Sequence, residues 1–256
     1  MSAPWRMKAL CLAGRIILEN GGETYRAEDT VVHMAHSLGL CETDVFGVPS
    51  GLFISFTDEQ GERQTSVCRV YPRDTNLSRV DAVNQLSRKL AAGELAQEAL
   101  VAELQAAEQL GENLPEWRAS VVAALSVMGF TPMFGGGPVD MAVGAVCAAL
   151  TQLAPKMLKR LGGGGIPVAL VGSVACTLIP LWFHQVTGLG LPDVMIAGAL
   201  MPLVPGLSMT NAVQDLLRGD MISGVAHGAR AVLTAALVAG GALIGTHLFR
   251  LLGGGV

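Results

Sequence analysis

The residues best placed to do chemistry lie between positions 201 and 220. They read Met201-Pro202-Leu203-Val204-Pro205-Gly206-Leu207-Ser208-Met209-Thr210-Asn211-Ala212-Val213-Gln214-Asp215, running on to Arg218-Gly219-Asp220. Two prolines and a glycine interrupt what would otherwise be continuous apolar helix. Proline removes a backbone donor, and in lipid no water replaces the lost hydrogen bond. Broken backbone at membrane depth is held only where protein shelters it or where it lines a cavity, and a restarted helix points N–H groups at anions. Pro205 and Gly206 would make the break. Ser208, Asn211 and Asp215 would then contact substrate or coupling ion, with Asn211 and Asp215 sharing one helical face. Charge in lipid is costly, so Asp215 needs a cavity, headgroups or a partner such as Arg218. In the plainer alternative Pro202–Gly206 only ends a span, and the residues beyond form a solvated amphipathic helix.

Other polar positions are more ordinary. Asp140, Asp193 and Asp220 are candidates for gating or coupling; residues placed as Asp140 and Asp193 are more often solvated helix starts, and Asp193 after Pro192 suits a first turn. His184 and His227 flank apolar segments, where interface solvation is favoured over proton relay. In the N-terminal half Glu19, Glu23, Tyr25, Arg26 and Glu28 surround Asn20-Gly21-Gly22, and could form a second binding site or merely cap two helices. Gly135–Gly137 and Gly162–Gly165 lack the Lys-Ser/Thr of a phosphate loop. No nucleophile elbow, metal-binding helix or basic nucleic-acid patch is present, so no catalytic residue, cofactor, metal or nucleic-acid partner is expected.

The elements that must position these residues follow from charge. Of the 256 residues 51% are hydrophobic and 15% charged. Residues 1–118 carry 11 Lys/Arg and 17 Asp/Glu, and residues 119–256 carry 6 and 4. The split implies one domain folded in water, residues 1–115, and one in lipid, residues 116–256.

In the first domain the spacing of Met7, Leu10, Cys11, Gly14 and Leu18 predicts a helix ended by Asn20-Gly21-Gly22. Thr24 is a candidate N-cap for a second helix carrying Ala27, Val31, Met34, Ala35 and Leu38. Asp44–Val48, Leu52–Thr57 and Gln64–Val70 read as a three-stranded meander. Two helices follow, marked by Leu77, Val80, Val83, Leu86 and Leu90, then by Leu95, Leu100, Leu104 and Leu110. The fold class is therefore an α-helical membrane bundle preceded by an α+β domain of order ααβββαα.

Five apolar segments mark the spans: Ala119–Phe134, Pro138–Ala154, Ile166–Val186, Leu191–Val204 and Ala231–Phe249. Lys156, Lys159 and Arg160 fall after the second segment, and Arg218 and Arg230 after the fourth. Positive loops face the cytoplasm, which puts the N-terminal domain there and the C-terminus outside. Gly241 and Gly245 share a helical face and permit close packing, within this bundle or between subunits. Cys11, Cys41, Cys68, Cys147 and Cys176 have no metal spacing and are expected as buried, reduced thiols. Ala9–Gly14 is too short for a secretory signal.

Two stretches carry a resemblance. Gly14-Arg15-Ile16-Ile17-Leu18-Glu19-Asn20-Gly21-Gly22-Glu23-Thr24-Tyr25-Arg26-Ala27-Glu28 resembles the start of threonine/serine exporters. So do Leu203-Val204-Pro205-Gly206, Asn211-Ala212-Val213, Asp215-Leu216-Leu217, Gly219-Asp220 and Ser223-Gly224. The resemblance covers about residues 9–250. It implies a cytoplasmic α+β domain before a five-span domain, and, since the sequence stops at Val256, the split form: a YjjP-like large subunit working with a YjjB-like small subunit in hetero- and homo-oligomers in the bacterial inner membrane. It further implies export of threonine and serine, or of C4 dicarboxylates such as succinate, driven by the proton motive force. Two other classes stay open: a non-transporting regulatory or assembly subunit, and a membrane-anchored enzyme.

Overall fold

The structure is a computed structural model, and it describes residues 4–71, 75–111, 117–151 and 165–255. By contacts the chain forms two compact units, one of Met1–Asn113 with Gly206–Arg230, the other of Leu114–Pro205 with Ala231–Val256.

In the first unit the elements are α1 (Pro4–Glu19), α2 (Thr24–Ser37), β1 (Cys41–Val48), β2 (Gly51–Thr57), β3 (Arg63–Arg69), α3 (Leu77–Ala91), a 3-10 turn (Gln97–Ala99) and α4 (Leu100–Glu108). The sheet is antiparallel in the order β1-β2-β3. Alternation along β2 turns Leu52, Ile54 and Phe56 wholly inward, while Phe53 faces outward. These side chains meet Ala9, Leu10, Ala13, Ile16 and Ile17 of α1 and Ala27, Val31 and Met34 of α2 in one core. Gly14 sits where α1 crosses the sheet: a Cβ there would run into the Leu52 side chain and stand 3.1 Å from Val31. The β2–β3 turn is closed by Asp58, whose Oδ1 accepts the N–H groups of Gln60 and Glu62, each at 3.0 Å.

Two sequence expectations need correction. Thr24 is the first residue of α2, not its cap; Glu23 holds the cap position without a side-chain bond. The cysteines are not five buried thiols: Cys11 and Cys68 form a disulfide between α1 and β3, and Cys41 is exposed.

The second unit holds α5 (Trp117–Phe130), a 3-10 turn (Thr131–Phe134), α6 (Pro138–Thr151), α7 (Gly165–Thr187), α8 (Pro192–Leu200) and a 3-10 turn (Met201–Leu203). Next come α9 (Gly206–Leu217), which belongs to the first unit, and α10 (Met221–Leu251), whose residues from Ala231 onward belong to the second. Val122, Leu125, Val232 and Leu243 are exposed apolar residues, as a lipid-facing surface requires. The helices contact each other through small residues. A Cβ on Gly144 would lie 2.8 Å from Val127, and Gly198 packs on Thr131. Hydroxyls bond back to carbonyls one turn earlier, as Thr131 to Val127 O at 2.7 Å and Thr177 to Ser173 O at 2.9 Å.

Val168–Thr187 and Met221–Leu251 are each long and apolar enough to cross a membrane, and Pro192–Leu203 with Gly206–Leu217 could make a third, broken span. Over the described residues α5 and α6 have 14 residues each, about 21 Å at 1.5 Å per residue, against a hydrocarbon core of about 30 Å. The basic loop of Lys156, Lys159 and Arg160 lies outside the described residues.

Asp140 ties two loops of this unit together. Its Oδ2 accepts the Gly137 N–H at 2.8 Å and its Oδ1 the Leu191 N–H at 2.7 Å, and the side chain is buried. Asp140→Ala would orphan both donors and is expected to cost about 2 kcal/mol or more. Asp193 is exposed on the first turn of α8, and its alanine variant should stay within about 0.5 kcal/mol of wild type. Thermal unfolding of both variants in detergent checks this pair.

Candidate functional site

The polar groups of the first unit gather at the break between α1 and α2. Asn20 Nδ2 bonds back to Ile16 O at 2.7 Å, Gly21 takes φ +86°, and the Gly22 N–H reaches Ile17 O at 2.9 Å. A Cβ on Gly22 would stand 2.9 Å from that same carbonyl, so the turn needs glycine there.

Helix α9 packs on this turn. Asn211 Nδ2 donates to Gly21 O at 3.1 Å. Gly219, at φ +88°, reverses the chain, and Asp220 Oδ1 accepts the Ser223 N–H at 3.1 Å to start α10. This helical hairpin sets His227 against Asp215, with Nδ1 2.9 Å from Oδ2. Asp215 is fully buried and Asn211 nearly so. Arg218 does not pair with Asp215; its guanidinium lies 3.5 Å from the centre of the Tyr25 ring. Arg26 pairs with Glu23 at 2.8 Å, and Glu19 Oε1 accepts the Tyr71 N–H at 3.3 Å.

Two cavities flank Gly21 and Gly22. One, of about 90 Å³, is lined by Glu19, Ser208, Asn211, His227 and Arg230. The other, of about 250 Å³, is lined by Glu23, Arg26, Asp81 and Asn84. Around them Thr24 Oγ1, Asn211 Oδ1, Asp215 Oδ1, Asp220 Oδ2 and Ser223 Oγ are buried without a hydrogen-bond partner. Native folds leave few such atoms, and these share one neighbourhood.

Glu28, one turn into α2, accepts the Gly47 N–H at 2.6 Å. Burial raises its pKa above the ordinary glutamate range, and the charges of Asp220, Asp29 and Asp215 push the same way, against the Gly47 bond. A carboxylate whose pKa is higher in the folded chain contributes stability below about pH 4.3, its value in peptides, and loses that contribution as pH rises through the folded value. Glu28→Gln keeps an acceptor for Gly47. Its melting temperature should therefore gain on wild type as pH is raised from about 4 to 8; a pH-independent difference would contradict the assignment.

Two groups that the sequence leaves separate, Glu19, Glu23, Tyr25 and Arg26 on one side and Ser208, Asn211, Asp215 and Asp220 on the other, thus meet in one unit. Asp140 and Asp193 lie in the other unit. Pro205 follows the extended Val204, and Gly206 opens α9 with nothing near its Cβ direction. His227 and Arg230 join the site, although sequence spacing favours plain solvation for His227. Helical spacing cannot find a pair that closes across a turn; the signal was the Gly219-Asp220 reversal. His184 instead meets Leu189 O at 3.1 Å. Among the described residues no three His, Cys, Asp or Glu side chains are placed to hold a metal ion.

Residues 8–249 match the family described as "Putative threonine/serine exporter". The chain is 22% identical over 227 residues to a protein of Mycobacterium tuberculosis named "Probable threonine/serine exporter", covering 88% of this chain and 43% of that protein. It is 24% identical over 227 residues to the Escherichia coli protein named "Probable succinate transporter subunit YjjP", covering 88% of this chain and 87% of that one. The chain thus spans less than half the length of the mycobacterial relative. No solved structure matches significantly. The match runs from α1 through α10 and takes in the α1–α2 turn, α9 and the apolar helices alike: the chain is a membrane protein of the threonine/serine exporter family.

Proposed function

We propose that this chain is a subunit of a secondary transporter that exports small carboxylate-bearing metabolites, threonine and serine or a C4 dicarboxylate such as succinate, across the inner membrane. The N-terminal domain faces the cytoplasm, five spans follow, and a YjjB-like small subunit completes the assembly. One observation carries the site assignment: buried, partly unpartnered polar side chains from positions 19–28 and 208–230 surround small cavities at the α1–α2 turn. Asn211, Ser208 and the Asp215–His227 pair contact substrate or coupling ion, with Glu19, Glu23, Tyr25 and Arg26 lining the approach. A buried carboxylate sharing a hydrogen bond with an imidazole can take up and release a proton without stranding a charge. Pro205 and Gly206 interrupt the helix before the site. Asp220 holds the hairpin turn, and Asp140 and Asp193 serve a gate in the other unit.

Reconstitution tests the proposal. Proteoliposomes holding this chain and its small subunit should lose loaded threonine, serine or succinate under a pH gradient, and should lose none when either subunit is left out. Retention of all three by the complete assembly, or full-rate efflux by the small subunit alone, would contradict it.

A further inference from the structure

A third cavity in the first unit, sharing no lining residue with the two at the α1–α2 turn, has a volume of about 330 Å³ and is lined by Lys8, Cys11, Arg15, Cys68, Arg69 and Glu108 among others. That is within the size range of small-molecule sites. Its wall contains the Cys11–Cys68 disulfide, which joins α1 to β3 with Cα atoms 5.7 Å apart. Cys68 is buried and Cys11 is the more exposed of the two. Three cations face one carboxylate, and that carboxylate, Glu108, is engaged by Arg15 at 3.1 Å. Arg69 is exposed and leans over Tyr71 at 5.8 Å.

We propose that this cavity is a docking and exchange site for a small anionic thiol, which opens the Cys11–Cys68 disulfide. The thiolate of the ligand attacks the accessible sulfur of Cys11. A ligand–Cys11 disulfide forms, the Cys11–Cys68 bond breaks, and Cys68 leaves as a thiolate that then takes a proton. A second molecule of the thiol attacks the mixed disulfide, releasing the oxidised ligand dimer and the Cys11 thiol. Two thiols are oxidised to one disulfide while the protein disulfide is reduced to two thiols. Lys8, Arg15 and Arg69 draw in the anion and stabilise both the attacking and the departing thiolate, which govern the rate of exchange. Opening the bond frees α1 from β3 while their shared core contacts remain.

The probes are 2-mercaptoethanesulfonate, 2-mercaptoethanol and cysteamine: anionic, neutral and cationic thiols of one chain length. Full-length protein in detergent is treated with each, alkylated, and mapped by mass spectrometry at Cys11 and Cys68 only. Each rate is divided by that of the same thiol with a small soluble disulfide. The anionic probe should open the bond about fivefold or more faster than the neutral one, an attraction of the size a nearby cation gives at partial exposure, and the cationic probe should be slowest. Lys8→Gln with Arg69→Gln should abolish that order, slowing the anionic probe more than the neutral one. Equal normalised rates for the three probes, an order that survives the double variant, or alkylation of both cysteines before any thiol is added would overturn the proposal.

Discussion

Asp215→Asn is expected to reduce efflux about tenfold or more while the chain remains folded, a loss of about 1.4 kcal/mol in the transport step. The side chain is fully buried, and its Oδ2 lies 2.9 Å from His227. Asparagine has the same shape but cannot accept a proton or balance an imidazolium. His227→Gln should lower the rate to a similar extent. Because the two groups act as one unit, the double variant should be no slower than the slower single variant. Losses that simply multiply would show that the pair has no shared task. The comparison uses initial efflux rates at equal amounts of assembled protein, so a folding defect is separated from a transport defect.

The largest structural effect is expected at Gly241. A Cβ there would lie 2.6 Å from Leu170 O and against Ser173, while one at Gly245 would lie 3.1 Å from Val174 O and 2.9 Å from the Thr177 Cβ. The obstacle is the backbone of α7, which cannot rotate aside. Overpacking usually costs about 1–3 kcal/mol, and a clash with main chain exceeds what side-chain adjustment can relieve. Gly241→Leu should therefore abolish a monodisperse peak in size-exclusion chromatography. The neighbouring Gly240 has nothing within 4 Å, and Gly240→Leu should behave as wild type. Matching profiles for the two would remove the α7–α10 contact from this account.

The ααβββαα order is legible in the sequence because burial itself has a period. Leu52, Ile54 and Phe56 alternate, and Ala27, Val31 and Met34 recur at helical spacing, so the strands and helices fall within a few residues of their expected bounds. Contacts closed across a turn or between distant elements carry no such period. The Cys11–Cys68 bond joins residues 57 apart, and the Asp215–His227 pair straddles Gly219. The span count is less legible because α5 and α6 are short apolar helices, which length alone does not distinguish from buried ones. Glycine had to be sorted by its surroundings. A Cβ on Gly206, prominent beside Pro205, would meet nothing within 4 Å and alanine should be tolerated there, whereas Gly22 is fixed by Ile17 O and Gly241 by Leu170 O. Gly241 and Gly245 pack within this chain's own bundle, one of the two readings their spacing allowed.

Ser208 gives the most direct access to the central claim, since it lines the smaller cavity beside Asn211 and His227. In a Ser208→Cys variant assembled with the proposed small subunit, the rate at which a small methanethiosulfonate reagent modifies residue 208 can be followed with and without an exported metabolite. The metabolite should slow modification in step with the concentrations at which it is exported, and an Asn211→Ala background should weaken that protection. Modification at an unchanged rate, under saturating levels of a metabolite that the assembly demonstrably exports, would mean that substrate passes elsewhere.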